Sequence, residues 1–327
     1  MLEGTARIGR SSRPPLVVVA LGGHAFMKRG EPGTHEQHLA NAGSICDRLM
    51  TLVSRGYHLV VTHGNGPQVG ALLERDEFRG DGLPTKPLDV LVAQTEGSLG
   101  YYLQQGMLNA LRRREIKRFV VTVVTQVVVD AEDGAFRHPS KPVGPFLSEQ
   151  EACKRREELG WTVGEDAGRG WRRLVPSPRP RKVIQRSMIR EAASEGHIVI
   201  ACGGGGIPVC KTSEGDYRGV EAVIDKDRTS GVLAREIEAD LLLILTAVDC
   251  VSLRFGTPGQ MPLGAVTLAE CTRYVEEGHF PEGSMGPKVE AIRDFLMHGG
   301  ARGLITSPER LEEALRGEAG THFIGKI

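Results

Sequence analysis

The stretch 16-LVVVALGGHA-25 joins six unbroken apolar residues to a glycine pair. A strand with one wet face alternates apolar and polar residues, whereas a strand covered on both faces does not. Leu16–Leu21 therefore reads as a strand of a parallel sheet, ending where the glycines open a turn. Four further runs share this character: 58-HLVVTH-63, 119-FVVTVVTQVVV-129, 197-HIVIACG-203 and 241-LLLILTAV-248. Helical spacing fills the intervals at His38 to Arg55, Leu88 to Arg114, Val183 to Glu195, Thr229 to Glu238 and Pro287 to His298. Strand, glycine-bearing turn and helix repeat, as in stacked β-α-β units with right-handed crossovers. The expected fold is α/β, a three-layer α/β/α sandwich around a mainly parallel central sheet.

One stretch breaks the rhythm. From 131 to about 181 the chain is polar and rich in Pro, Gly and Arg, as in 139-PSKPVGPF-146, 164-GEDAGRGWRR-173 and 176-PSPRPRK-182. Unstructured loops beyond about 12 to 15 residues are uncommon in ordered domains. Both tryptophans, Trp161 and Trp171, fall inside it. An inserted, protruding lid subdomain with a small core of its own is the expectation. The remainder, 15–327, reads as one domain behind a disordered tail at 1–14.

Composition limits the partners. The chain has 41 basic and 41 acidic residues in 327, so no whole-molecule field favours nucleic acid or an anionic membrane. The apolar runs fall far short of the ~20 residues that span a bilayer. The N-terminus lacks the apolar core of a secretory signal. Six cysteines without a C-x-x-C pair suit a reduced cytoplasmic protein. Glycine, at 42 of 327, is in excess and clustered.

Five glycine-bearing clusters follow a strand or open a helix: 22-GGHA-25, 62-THGNGPQVG-70, 202-CGGGG-206, 219-GVEAVIDKDRTSG-231 and 283-GSMGPKVEA-291. In open α/β sheets ligands sit beyond the carboxyl ends of strands, where backbone N–H groups and helix N-termini suit phosphate. Neither G-x-x-x-x-G-K-[ST] nor a G-x-G-x-x-G after the first strand is present. A neutral protein handling polyphosphate must place its cations locally, and Lys226, Lys288 and Lys141 each lie in a Gly/Pro turn. Asp225 and Asp227 flank Lys226; one can orient the ammonium while the other could approach a metal ion. No Ser, Cys or His stands out as a nucleophile, and direct phosphoryl transfer needs none.

Taken together, ALGGHA, THGNGPQVG, TQVVVD, PSKPVGPF, EDAGRGWRRLVPSPRP, CGGGGIPV, GVEAVIDKD, LLILTAVDCV and GSMGPKVEA resemble the carbamate kinases of the amino acid kinase superfamily, from about Leu16 to Ser307. The resemblance implies reversible phosphoryl transfer between ATP and carbamate, giving ADP and carbamoyl phosphate with Mg²⁺, in a cytoplasmic homodimer. It implies that Lys141, Lys226, Asp227 and Lys288 act in catalysis. Gly22, Gly23, His24, Gly64, Asn65, Gly66, Gly204 and Gly205 would hold the transferring groups, and Lys226, Thr246, Val248, Asp249, Met285 and Lys288 the nucleotide. No protein metal ligand is expected. Many amino acid kinases carry a lysine beside the first glycine pair; here Val19-Ala20-Leu21 has none, and Lys141 on the lid is the natural substitute. The family usually has Asn after that pair, where this chain has His24. An imidazole can still donate to an oxyanion. A kinase for another small carboxylate, or a non-catalytic nucleotide-binding module, are the alternatives.

Overall fold

The computed structural model describes residues 13–28, 30–77, 84–166, 170–281 and 283–325. Of the expected tail, 1–12 lie outside the described residues, and Arg13 is paired with Asp240 at 3.0 Å. In chain order, β1 (Leu16–Leu21), α1 (His35–Ser54), β2 (His58–His63), α2 (Gly66–Glu77), α3 (Leu88–Arg113), β3 (Val120–Thr122) and β4 (Gln126–Val128) come first. They are followed by β5 (Lys141–Leu147), α4 (Glu149–Leu159), β6 (Val163–Glu165), β7 (Trp171–Val175), β8 (Lys182–Val183), α5 (Arg186–Ser194) and β9 (Ile198–Ile200). Then come β10 (Ile207–Lys211), β11 (Tyr217–Gly219), α6 (Lys226–Glu236), β12 (Leu241–Leu245), β13 (Ser252–Leu253), β14 (Met261–Pro262) and β15 (Ala265–Thr267). The chain closes with α7 (Leu268–Glu276), α8 (Gly286–Met297), β16 (Arg302–Thr306), α9 (Leu311–Leu315) and β17 (Thr321–Ile324).

Eight strands form the central sheet in the order β15-β17-β16-β12-β1-β2-β9-β3, every pair parallel except β16 with β17. The unbroken apolar run of β1 has its physical reason here. Val18 and Ala20 pack into one core with α5, α6, α7 and α8, while Val17, Val19 and Leu21 pack into a second with α1, α3 and α9. Each of these side chains is removed from water on both sheet faces, worth about 1.5–3 kcal/mol for a Val or Leu. The three-layer α/β/α arrangement is as the sequence predicts.

Three expectations are amended. The run 119–129 is two strands, because the chain leaves the central sheet after Thr122 and enters a second sheet ordered β11-β10-β4-β8. At the crossing the Thr125 N–H donates to Glu96 and its hydroxyl to the Val123 carbonyl, replacing ladder bonds with side-chain ones. Helix α5 begins at Arg186 rather than 183, since Lys182 and Val183 pair with β4. Helices α2, α4, α7 and α9 and every strand after Leu245 escape the periodicity of the sequence; these are short or carry mixed polar faces.

Residues 141–175 make a separate small unit. Strands β5, β7 and β6 form a three-stranded sheet with α4, closed over Leu147, Ala152 and Trp161. Strand β5 lies against α2 so closely that a Cβ on Gly70 would sit 1.8 Å from the Gly144 nitrogen. Arg155 and Arg173 reach from this unit to Glu74 and Glu77, each at 2.5 Å. Their guanidinium carbons also lie 4.9 and 4.7 Å from the Trp161 ring centre.

Candidate active site

Strand register places four carboxyl ends side by side: Leu21 pairs with His63 and Leu245, and Leu245 with Thr306. The turns that leave this edge therefore share one crevice. The N–H groups of Gly22 and Gly64 are committed to the carbonyls of Leu245 and Leu21, both at 3.2 Å. Those of Gly23, Asn65 and Gly66 have no acceptor among the described residues. A Cβ on Gly23 or Gly66 would meet nothing within 4 Å, so this backbone faces open space. Of these five N–H groups, two brace the sheet edge and three have no acceptor among the described residues.

Gly66 is also the first residue of α2, and the N-termini of α6 and α8 carry Lys226 and Lys288. Unpaired N–H groups and the positive end of the helix dipole favour an anion at each. Lys226 runs beside the glycine turn, its Cδ 3.4 Å from where a Gly64 Cβ would be. Asp227 joins the cations, one oxygen accepting from Lys226 and the other from Lys288 at 3.1 Å. Lys141, carried on β5, reaches Asp225 at 2.6 Å, and Asp225 also accepts the Asp227 and Arg228 N–H groups as the cap of α6. Lys141, Lys226, Asp227 and Lys288 are thus brought into one network. Each aspartate is paired with at least one ammonium.

The charges are uneven. Burial pushes the Asp227 carboxyl up, but Lys226 and Lys288 outweigh it and hold it below the ordinary value. For Asp225 burial is likewise outweighed, by Lys141, and its carboxyl lies well below the usual range. Burial would lower Lys288, yet Asp227 raises it. Lys226 is the exception: burial lowers its value, Lys288 repels it, and its share of Asp227 does not compensate. An ammonium short of negative charge gains most from an arriving phosphate.

A second layer holds these turns. Asn65 is buried and donates to the Thr95 hydroxyl at 2.8 Å. Gly204, at φ +67°, leaves room for it, since a Cβ there would be 2.1 Å from the Asn65 amide nitrogen. Gly205 presses on Ile224, and its carbonyl accepts from Thr229 of α6 at 2.8 Å. Gly204 and Gly205 are thus buried behind the turns. Sequence reading missed Thr95, Thr229, His63 and Glu96. His63 is buried edge-on to Phe26, and burial lowers its value to about 4, so it is neutral near pH 7. Glu96 accepts from Thr125 at 2.8 Å, and burial pushes its carboxyl well up. Only their polarity inside apolar surroundings could have signalled them.

The nucleotide candidates lie further along the same edge. The Thr246 N–H donates to the Thr306 carbonyl at 3.0 Å, half-buried Val248 follows, and Asp249 accepts from Ser307 at 2.6 Å. Met285 precedes α8, its carbonyl taking the Lys288 N–H at 3.1 Å. The side chain of His24 lies outside the described residues. A cleft of ≈ 290 Å³ beside Gly22 and Thr246 is lined by Lys28, Asn41 and Arg48, none of which the sequence singled out.

Residues 15–307 match the amino acid kinase family. The carbamate kinase of Thermococcus kodakarensis is 48% identical over 311 residues, covering 94% of this chain and 98% of that one. The carbamate kinase-like protein YahI of Escherichia coli is 47% identical over 316 residues, with the same shares of 94% and 98%. Among solved structures, carbamate kinase from Giardia lamblia bound to AMP-PNP superposes with a TM-score of 0.88 at 38% identity, covering 97% of this chain and 100% of the other. On a family match over 15–307 and these identities along nearly the whole length, the chain belongs to the amino acid kinase family, in its carbamate kinase branch.

Proposed function

We propose that this chain is a carbamate kinase, passing a phosphoryl group between ATP and carbamate, with carbamoyl phosphate and ADP on the other side. The observation that carries this is the meeting of Lys141, Lys226 and Lys288 through two aspartates, beside the free N–H groups of Gly23, Asn65 and Gly66. Two oxyanions brought together there exchange a phosphoryl group without a protein nucleophile, because position and charge supply the catalysis. The backbone N–H groups hold the transferring group and the carbamate. Lys226 and Lys288 neutralise the nucleotide phosphates, with Thr246, Val248, Asp249 and Met285 along the nucleotide path. Mg²⁺ ordinarily takes one or two carboxylates plus substrate phosphates. Both site aspartates are tied to lysines, and no cluster of three His, Cys, Asp or Glu suits a metal among the described residues. The ion fits as MgATP, carried on the phosphates and drawing off their charge.

In this reading the 141–175 unit is a lid that delivers Lys141 and excludes water from a labile acyl phosphate. Enzyme supplied with ADP, Mg²⁺ and carbamoyl phosphate should form ATP in a hexokinase-coupled assay. ATP formed from acetyl phosphate but not from carbamoyl phosphate would replace this reading with another acyl-phosphate kinase, as the His24 departure allows.

The homodimer also belongs to this proposal. At one end of the sheet order β3 is an edge strand, and Phe119, Val124, Tyr101 and Leu108 around it are exposed apolar side chains. Light scattering at micromolar concentration should read about 71 kDa, twice 35.4 kDa; a monomer would count against the dimer. Among the described residues no helix is long and apolar enough to cross a membrane, and six free cysteines fit a cytoplasmic location.

A further inference from the structure

Outside the catalytic cleft, a second one of ≈ 270 Å³ opens between α6, α8 and the segment returning from the lid, lined by Arg179, Arg181, Arg228, Arg235, Asp294 and His298 among others. Four guanidinium groups converge on a chain whose formal net charge is zero. Arg235 lies nine residues along α6 from Lys226, about 14 Å at the helical rise, so this is not the phosphoryl-transfer centre.

The walls are fixed. Gly231 lets α6 close on α8, its missing Cβ lying 2.9 Å from the Ala291 carbonyl oxygen. The segment 179–181 is anchored by its backbone: the Arg179 N–H donates to Asp133 at 2.9 Å and the Arg181 N–H to the Val128 carbonyl at 2.8 Å.

Two of the four guanidinium groups are paired with acids and two are not. Asp294 is held by Arg293 at 3.2 Å, and its carbonyl meets His298 Nδ1 at 2.7 Å. Arg181 reaches Asp130 at 3.5 Å and Arg228 reaches Glu290 at 3.0 Å. Arg179 and Arg235 form no side-chain hydrogen bond or ion pair among the described residues, feeling Asp133 and Glu236 only through space. Arg228 Nε also has no hydrogen-bond partner among the described residues.

We propose that this cleft is a second anion site, taking a compact molecule with two linked phosphate groups. Arginine forks match phosphate oxygens two at a time. The cleft, at ≈ 270 Å³, has room for a diphosphate. A ligand held by Arg179 and Arg235 joins the lid's return segment to the two helices that carry Lys226 and Lys288.

Calorimetry of inorganic pyrophosphate into the full chain, saturated with AMP-PNP in Mg²⁺-free buffer, tests this. One equivalent should bind, and Arg235→Gln and Arg179→Gln should each weaken it about tenfold, the value of one charge-assisted hydrogen bond. Both variants should keep wild-type kcat and melting temperature. Binding should also persist in Lys226→Ala, which separates this site from the catalytic one. No heat at nucleotide saturation, or unchanged affinity in both arginine variants, overturns the proposal.

Discussion

Lys226→Ala lowers kcat about 10³-fold in the coupled assay, the upper end of what loss of one preorganised donor costs. Three features set the size. Lys226 lies against the glycine turn that would hold the transferring group, is almost fully buried, and shares its aspartate with a second lysine. It is therefore the cation least satisfied before substrate arrives. Lys226→Arg should not restore activity, because a planar guanidinium does not fill the place of a compact ammonium. The fold should survive: Lys288 still answers Asp227, and one like-charge repulsion is removed. A melting temperature within about 5 °C of wild type, where 1 kcal/mol shifts it roughly 2–4 °C in larger domains, would separate lost chemistry from lost structure. A variant retaining a tenth of wild-type kcat would show that Lys226 does not stabilise the transition state.

Gly70→Ala lowers kcat about 10²-fold from a position that carries no functional group. Its new methyl would lie 1.8 Å from the Gly144 nitrogen and 2.0 Å from the Gly144 Cα, overlaps with backbone that no side-chain rotation relieves. Strand β5 must withdraw from α2, taking Lys141 away from Asp225 and breaking the pairs of Arg155 with Glu74 and Arg173 with Glu77. A displacement near 1 Å is enough for a loss of about this order. Both tryptophans lie in the moving unit, and Trp161 is packed between two arginines, so tryptophan emission should shift to the red. Unchanged kcat together with unchanged emission would show that the lid need not close on α2.

Much of this was readable in the chain. The unbroken apolar runs announced strands covered on both faces, and the glycine clusters marked where each turn would leave the sheet. Lys141, Lys226 and Lys288 were separable from surface lysines by their Gly/Pro setting. The polar residues behind the turns were not readable. Thr95, His63 and Glu96 look like ordinary positions on a helix and a strand, and become a layer only when α3 crosses behind the glycine loop.

Strand identity follows from local composition, because burial on two faces demands apolar residues at every position. Partners do not, because an apolar strand fits beside any other. Sequence alone therefore determined an α/β sandwich, its longer helices and the clustering of cations in glycine turns. Tertiary packing decided that β1 lies between β12 and β2, that 119–129 divides between two sheets, and that Asp225 meets a lysine 84 residues away while Asp227 meets one 61 residues away. Those contacts depend on how separate elements stack, and no local pattern records that.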